Sequence, residues 1–488
     1  MDVHASVSIS PADGRAAGLS ALEARVRYDL DCLSYPSAPW LPPTKDASGR
    51  PVRDVLIVGG GQGGLALAFA LRRERVLEVE IIDRAPEGQE GPWVTFARMP
   101  TLRTPKYLTG PDCGLPSLTF RAWFDSQHDR HAWEKLERIP RRMWMDYLLW
   151  FRRVLGLSVS AGCEMVGFQP TLDGFLAVEC VETTRTQIER RRVIVARKVV
   201  FANGIEGGGA WAIPPGFITG VARNRFAHTS EPIDFSKLAG RRVAVLGSGA
   251  SALDNAAAAL EAGAARVDMF CRRADISAPD VRDWLERAGF LHGFGELDDA
   301  RKWSVMRRML GGGAPPPAWS LERCRSFPNF TLHTGRPWLA TEMVNGDVRI
   351  DTPSGEHAAD FLIFGTGVIT NLGLRPEFTG HAHAIATWGD RHHPPEDEAC
   401  PTMERYPYLG PGFQLTEKTP GSAPYLRDLH LFNWAATASL GVTGSSITGM
   451  KFGIARLTPA LVRDLYLKVA DSHLAAMPWP KSTRSAPE

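Results

Sequence analysis

No two of the seven cysteines stand in a C-x-x-C or C-x-x-x-x-C pair. Cys32, Cys113, Cys163, Cys180, Cys271, Cys324 and Cys400 are scattered, which argues against both a disulfide framework and a redox-active dithiol. An excess of one charge is also missing. Lysine and arginine number 56 against 54 acids, the net charge is +2 and no basic stripe stands alone, so nucleic acid is not an expected partner. No run of about 18 apolar residues occurs, and no basic segment followed by an apolar core opens the chain, so neither membrane spanning nor secretion is expected. The cytoplasm is the default address.

What is present is length and punctuation. The 488 residues suffice for two or three domains, each with its own core. Residues 1–17 are small and polar and read as disordered, whereas Leu19–Leu33 has apolar residues near helical spacing, so residues 1–53 are expected to be an extension with a short helix. Tyr35–Arg53 is proline-rich and reads as an extended lead-in. Two strand–turn–helix units follow, at 54–72 and 241–263. Between them come a Pro- and Gly-rich loop (86–118), a helix ending in WMDYLLWFRRVLG, and alternating strands that suggest a sheet layer capping the first unit. The buried strand DFLIFGTG at 360 is expected to return to the first domain, and Gly449–Met477 to form a terminal helix before a frayed end at 476–488.

The first unit runs from the strand residues Val55–Val58 into Gly59-Gly60-Gly61-Gln62-Gly63-Gly64 and then a helix, the order that dinucleotide binding requires. Gly59 permits the sharp turn, Gly61 lets a pyrophosphate approach the backbone, and Gly64 lets the helix pack on the strand. Asp83 ends the next strand, 24 residues beyond Gly59, where a carboxylate can accept hydrogen bonds from ribose hydroxyls and would repel a 2′-phosphate. FAD and NAD both satisfy this unit.

The second unit runs into Gly247-Ser248-Gly249-Ala250-Ser251-Ala252, a G-x-G-x-x-A variant. Its next strand ends in Arg272-Arg273, 25 residues after Gly247, where guanidinium forks fit a 2′-phosphate, so NADPH is preferred over NADH.

Two such units, an acid closing one and arginines the other, resemble the class B flavoprotein monooxygenases, which include flavin-containing monooxygenases, Baeyer-Villiger enzymes and N-hydroxylating enzymes. The resemblance covers roughly 54–450. Gly91-Pro92-Trp93 is similar to the family's G-G-x-W, Ala202-Asn203-Gly204 to its first linker, and Asp360 with Gly365-Thr366-Gly367 to its second. The Baeyer-Villiger fingerprint survives only as Arg225–Ser230, with no tryptophan following, and Leu429–Asn433 is similar to a strand of amine N-hydroxylases.

The resemblance implies an α/β fold of two Rossmann-like dinucleotide-binding domains. A discontinuous FAD domain (54–235 and 346–475) would hold an inserted NADPH domain (236–345). It also implies that NADPH reduces FAD, that O2 adds at the flavin C4a, and that one oxygen atom passes to a small-molecule substrate, foremost in N-hydroxylation of an amine or amino acid. Baeyer-Villiger or S-oxygenation, flavin reduction without oxygenation, and a non-catalytic flavin sensor are the other readings, and a homo-oligomer is left open.

The expected cofactor-binding residues are Gly59, Gly61, Gln62, Gly64, Asp83, Arg84, Trp93 and Gly367 for FAD, and Gly247, Gly249, Ala250, Ser251, Ala252, Arg272 and Arg273 for NADPH. Arg103 and Lys106 offer fixed charge for a reduced flavin or a carboxylate-bearing substrate, or else form a solvated loop. His228 would contact the nicotinamide by the same resemblance, and Trp93, Tyr107, Phe120 and Trp123 could wall out water or serve as core. His381, His383, His392 and His393 lack metal-ligand spacing, so no metal is expected.

Overall fold

The computed structural model describes residues 11–35, 38–107, 110–129, 131–183, 188–276, 282–312 and 316–478. The expectations for residues 1–10 and for the tail beyond 478 lie outside the described residues. The first helix, Pro11–Cys32, starts well before the expected Leu19. Its apolar anchors Val26 and Leu30 are buried, while the segment before them is too polar to mark a start by periodicity.

Two parallel sheets carry the molecule. In the first, Val52–Val58 lies between Val79–Asp83 and Glu189–Phe201, parallel to both, and Val159–Ala161 continues the sheet beyond Val79–Asp83. Val55, Leu56 and Ile57 are fully buried, as a strand covered on both faces requires. Helix Gln62–Arg73 follows directly, its Ala- and Leu-rich face buried and Arg72 and Arg73 in its last turn, where cations suit the dipole.

The strands expected to cap this unit are part of its sheet. Glu189–Phe201 is 13 residues long, roughly 40 Å when extended. Its first half pairs antiparallel with Leu176–Thr183, and its second half pairs parallel with Val52–Val58 and Leu429–Leu431. One long strand thus serves both a meander and a parallel core, and no separate layer is needed.

The second sheet is wholly parallel: Phe330–His333, Arg266–Phe270, Arg242–Leu246, Phe361–Phe364 and Phe226–His228, in that order. This corrects the expected boundaries. Phe361–Phe364 does not return to the first sheet; it lies between Arg242–Leu246 and Phe226–His228, so the second sheet draws on residues 226–364 rather than 236–345. The return comes at Leu429–Leu431. A four-residue apolar strand ending in glycine reads the same in either sheet, because periodicity does not name a partner. Asp360 is held instead by Arg242, whose backbone N–H donates to Oδ2 at 2.8 Å.

The two crossings between the sheets pair with each other. Gly209–Trp211 leads out and Val368–Thr370 leads back, as an antiparallel two-stranded ribbon. The terminal helix spans Ile447–Ala476, capped by Ser446, whose hydroxyl accepts from Gly449 N at 2.8 Å, and it buries Leu457, Leu461 and Leu465 beside the first glycine-rich helix. No helix among the described residues is long and apolar enough to cross a membrane.

Candidate active site

In open α/β sheets, ligands bind beyond the carboxyl ends of the strands. Around the first sheet those ends bring together Gly59–Gly64, Asp83, Ala202–Gly204 and Phe432–Trp434, and around the second Gly247–Ala252, Cys271–Arg273, Gly365–Gly367 and His228.

The glycines divide by geometry. Gly59 has φ +118°, and a Cβ there would stand 2.5 Å from the Ala202 carbonyl oxygen; Gly247 has φ +127° and would meet the Gly365 oxygen at 2.3 Å. A Cβ on Gly64 would strike the Gly59 oxygen at 1.9 Å. These three are demanded by the fold. Gly61 and Gly249 are different: each begins its helix as an N-cap with no side-chain hydrogen bond, and nothing lies within 4 Å of where a Cβ would point. Two open cradles at uncapped helix N-termini fit the pyrophosphates of two dinucleotides.

Ala252, standing where the first unit has Gly64, starts the first helical turn with Ala250 and Ser251. A Cβ on Gly365 would stand 2.4 Å from that of Ala252, so the glycine of the neighbouring strand end makes room for the methyl.

Asp83 holds its loop in shape. Its Oδ2 accepts from Gly60 N and its Oδ1 from Ala85 N, both at 2.7 Å, leaving a lone pair on each oxygen for a ribose. Gln62 Oε1 accepts from Trp144 Nε1 at 3.1 Å, and Trp144 packs edge-on against Trp93. Arg84, expected at the cofactor, is bound to Glu206 at 2.6 Å. Across the crevice Asn433 Nδ2 donates to Asn203 Oδ1 at 2.9 Å, and Trp434 Nε1 donates to the Tyr406 hydroxyl at 3.0 Å. In the second unit Arg272 is exposed and Arg273 half-buried, directly after the strand, with no carboxylate partner among the described residues.

His228 is buried at the end of its strand, 5.1 Å from the Trp211 ring. Its Nδ1 accepts from Ser230 N at 3.1 Å, which puts the ring proton on Nε2, and Nε2 is buried without a hydrogen-bond partner beside the Gly367 backbone. Burial pulls its pKa down to about 4, with Glu231 opposing, so the ring is a neutral N–H donor. Gly367 has φ +82° and follows Thr366, whose hydroxyl donates to the Ala212 carbonyl on the ribbon.

Arg103 and Lys106 each have a partner within the protein. Arg103 Nη2 lies 2.6 Å from Asp254 Oδ2 on the second glycine-rich helix, so its charge is matched there. Lys106 Nζ donates to the Trp133 carbonyl at 2.5 Å and stands over that ring. Of the expected aromatic walls, Tyr107 is exposed, while Phe120 and Trp123 join Trp144 and Tyr147 in a packed core. Phe96 and Trp211, 5.8 Å apart, line the ribbon instead.

His381 is fully engaged, with Tyr425 OH at 2.8 Å and the Phe168 carbonyl at 3.0 Å. Ligand atoms of Asp268, His333 and His357 lie within 4.8 Å of one another, but both oxygens of Asp268 already accept from Arg266, at 2.6 and 2.9 Å.

With this geometry in view, a family model described as FAD-NAD(P)-binding matches residues 56–206. The chain is 42% identical over 449 residues, 92% of its own length and 93% of the relative's, to an FAD-dependent urate hydroxylase of Xanthomonas campestris pv. campestris. It belongs to that hydroxylase's family, the class B flavoprotein monooxygenases. Solved structures share the fold. The ornithine hydroxylase of Pseudomonas aeruginosa superposes with a TM-score of 0.65 at 16% identity, over 85% of this chain and all of that one. The L-lysine 6-monooxygenase of Pseudomonas syringae gives 0.63 at 18%, over 84% of this chain and 99% of that one. The chain is thus an oxidoreductase of the FAD- and NADP-dependent monooxygenase type.

Proposed function

We propose that this enzyme uses NADPH and O2 to hydroxylate urate or a closely related oxopurine, one oxygen atom entering the substrate and the other leaving as water. The observation that carries the reading is the 42% identity with a urate hydroxylase, which spans both crevices and the ribbon between them.

FAD, when bound, supplies hydride acceptance and oxygen activation. The residues of the chain bind, orient and exclude. Gly61 and the N-terminus of helix Gln62–Arg73 would hold the FAD pyrophosphate and Asp83 its ribose; Gly249, the helix it starts, Arg272 and Arg273 would hold NADPH. The neutral His228 keeps its proton on Nε2, a buried donor beside the Gly367 backbone, where it would meet a carboxamide oxygen at the meeting point of the crevices. Trp93, Phe96 and Trp211 would keep water out.

Amine N-hydroxylation, which the sequence favoured, is supported by the fold likeness and by the short Leu429–Asn433 segment. Within the loop beside the flavin crevice, the stretch 93–107 carries Arg98, Arg103 and Lys106 and no carboxylate, which suits an anion better than an alkylammonium. The test is NADPH oxidation by the FAD-loaded enzyme with urate, xanthine, ornithine and lysine, with product identified by mass. Urate-dependent gain of one oxygen supports the reading; oxygenation confined to the amines would replace it.

A further inference from the structure

The turn from Gly91 to Arg98 contacts residues packed around both sheets. Trp93 leads through Trp144 to Gln62 of the first glycine-rich loop. Phe96 leads through Trp211 to His228 at the end of the second sheet. Arg98 stands over Phe235, 5.4 Å from its ring, and its carbonyl accepts from Arg323 at 3.4 Å, both residues of segments packed around the second sheet.

Cations near this turn sort by partner. Arg103 is neutralised by Asp254, Lys106 is seated on the Trp133 carbonyl and ring, and Arg138 donates to the Arg103 carbonyl at 2.7 Å. Arg98 and Arg141 are the two anchored on the turn itself. Arg98 Nη1 donates to the Thr95 carbonyl at 2.5 Å, and Arg141 Nη1 donates to the Trp93 carbonyl. The two guanidiniums are therefore anchored on carbonyls two residues apart in one turn. Neither has a carboxylate at ion-pair distance among the described residues.

Both side chains are half-buried. Burial pulls the Arg98 pKa down and Arg141 pulls it further; burial and Arg142 do the same to Arg141. A guanidinium nevertheless keeps its proton under physiological conditions, so the fold holds two adjacent cations without a counter-charge. Such an arrangement costs stability unless an anion enters.

We infer that Arg98 and Arg141 are the anion-recognising pair of the substrate site, taking the delocalised charge of a planar oxopurine anion. The inference rests on the urate reading, since urate is a monoanion at neutral pH. Planar forks match an anion whose charge is spread over ring nitrogens and carbonyl oxygens, and most of their N–H donors are uncommitted to the protein.

The experiment titrates the oxidised, FAD-loaded enzyme with urate and with hypoxanthine, a neutral analogue, following the flavin absorbance, in wild type, Arg98→Gln and Arg98→Lys. Loss of a hydrogen bond to a charged group predicts about 10- to 100-fold weaker urate binding in Arg98→Gln, with hypoxanthine changed less than about threefold and urate partly restored in Arg98→Lys. Equal weakening of both purines, or no weakening of either, overturns the pair as an anion site. If wild type binds no urate, the substrate reading fails on its own. The pair is then judged by sulfate, which should raise the melting temperature of wild type and not of Arg98→Gln; equal shifts would overturn it.

Discussion

Arg103 Nη2 lies 2.6 Å from Asp254 Oδ2, joining the loop beside the flavin crevice to the first turns of the second glycine-rich helix. Asp254 is 2% exposed, and burial raises its pKa while Arg103 and then Arg323 oppose that rise. Removing Arg103 leaves a buried carboxylate short of its main counter-charge. Arg103→Met should cost about 3 kcal/mol in denaturant unfolding. Adding Asp254→Leu should cost far less than the sum of the two single changes, because the second removes the charge that the first stranded. Strict additivity would mean that the pair does not couple the two units.

Arg272 and Arg273 follow the strand Arg266–Phe270 directly, at the position from which a second nucleotide's ribose is read. Each phosphate contact of a guanidinium is worth about 1.5–3 kcal/mol. Arg272→Ala with Arg273→Ala should therefore raise KM for NADPH at least about tenfold and leave KM for NADH nearly unchanged. Steady-state kinetics with both coenzymes decides this, and equal effects would remove the phosphate assignment.

Much of this was legible in the chain because dinucleotide loops are local. Gly59, Gly61, Gly64 and Asp83 fall within one strand–helix–strand unit, and their places in the turn and at the strand end follow from spacing. What lay beyond reading were pairings between distant segments. The Asn203–Asn433 bond spans 230 residues, and Phe361–Phe364 offers four apolar side chains that fit either sheet. Arg103 and Lys106 looked free because Asp254 and Trp133 carry no mark of being their partners. Phe96, Trp211 and His228 likewise meet only when the ribbon forms, so their ring contacts have no mark in the sequence.

His430 sits in the strand Leu429–Leu431 with no exposure, its Nδ1 donating to the Gly412 carbonyl at 2.8 Å and its Nε2 without a partner. Burial, then Lys198, lowers its pKa from 6.5 to about 4. The unfolded chain then binds the proton more readily than the native one, so the stability from keeping this ring neutral is full above pH 6.5 and is lost as pH falls toward 4. The loss is on the order of 3 kcal/mol. Asp54, raised to about 6 by burial, acts with the opposite sign in the same range, so the test compares slopes rather than single values. Melting curves across this range should fall less steeply with acid in His430→Leu than in wild type, and identical slopes would show that the ring titrates normally.

Gly59 and Gly61 stand two residues apart and predict opposite failures. Gly59 has φ +118° and no room, a Cβ meeting the Ala202 oxygen at 2.5 Å, so Gly59→Ala strains the backbone and drives two main-chain segments apart. It should destabilise the protein by at least about 2 kcal/mol even without flavin. Gly61 has φ −73° and ψ −171°, which alanine accepts, and open space within 4 Å of its Cβ direction. Gly61→Ala should therefore melt as the flavin-free wild type does, within about 0.5 kcal/mol. Its methyl would occupy the cradle in which the pyrophosphate must approach the backbone, so the purified variant should lose most of its flavin absorbance and not regain it on incubation with FAD. A yellow, fully loaded Gly61→Ala protein would mean that this loop is not where the flavin dinucleotide is held.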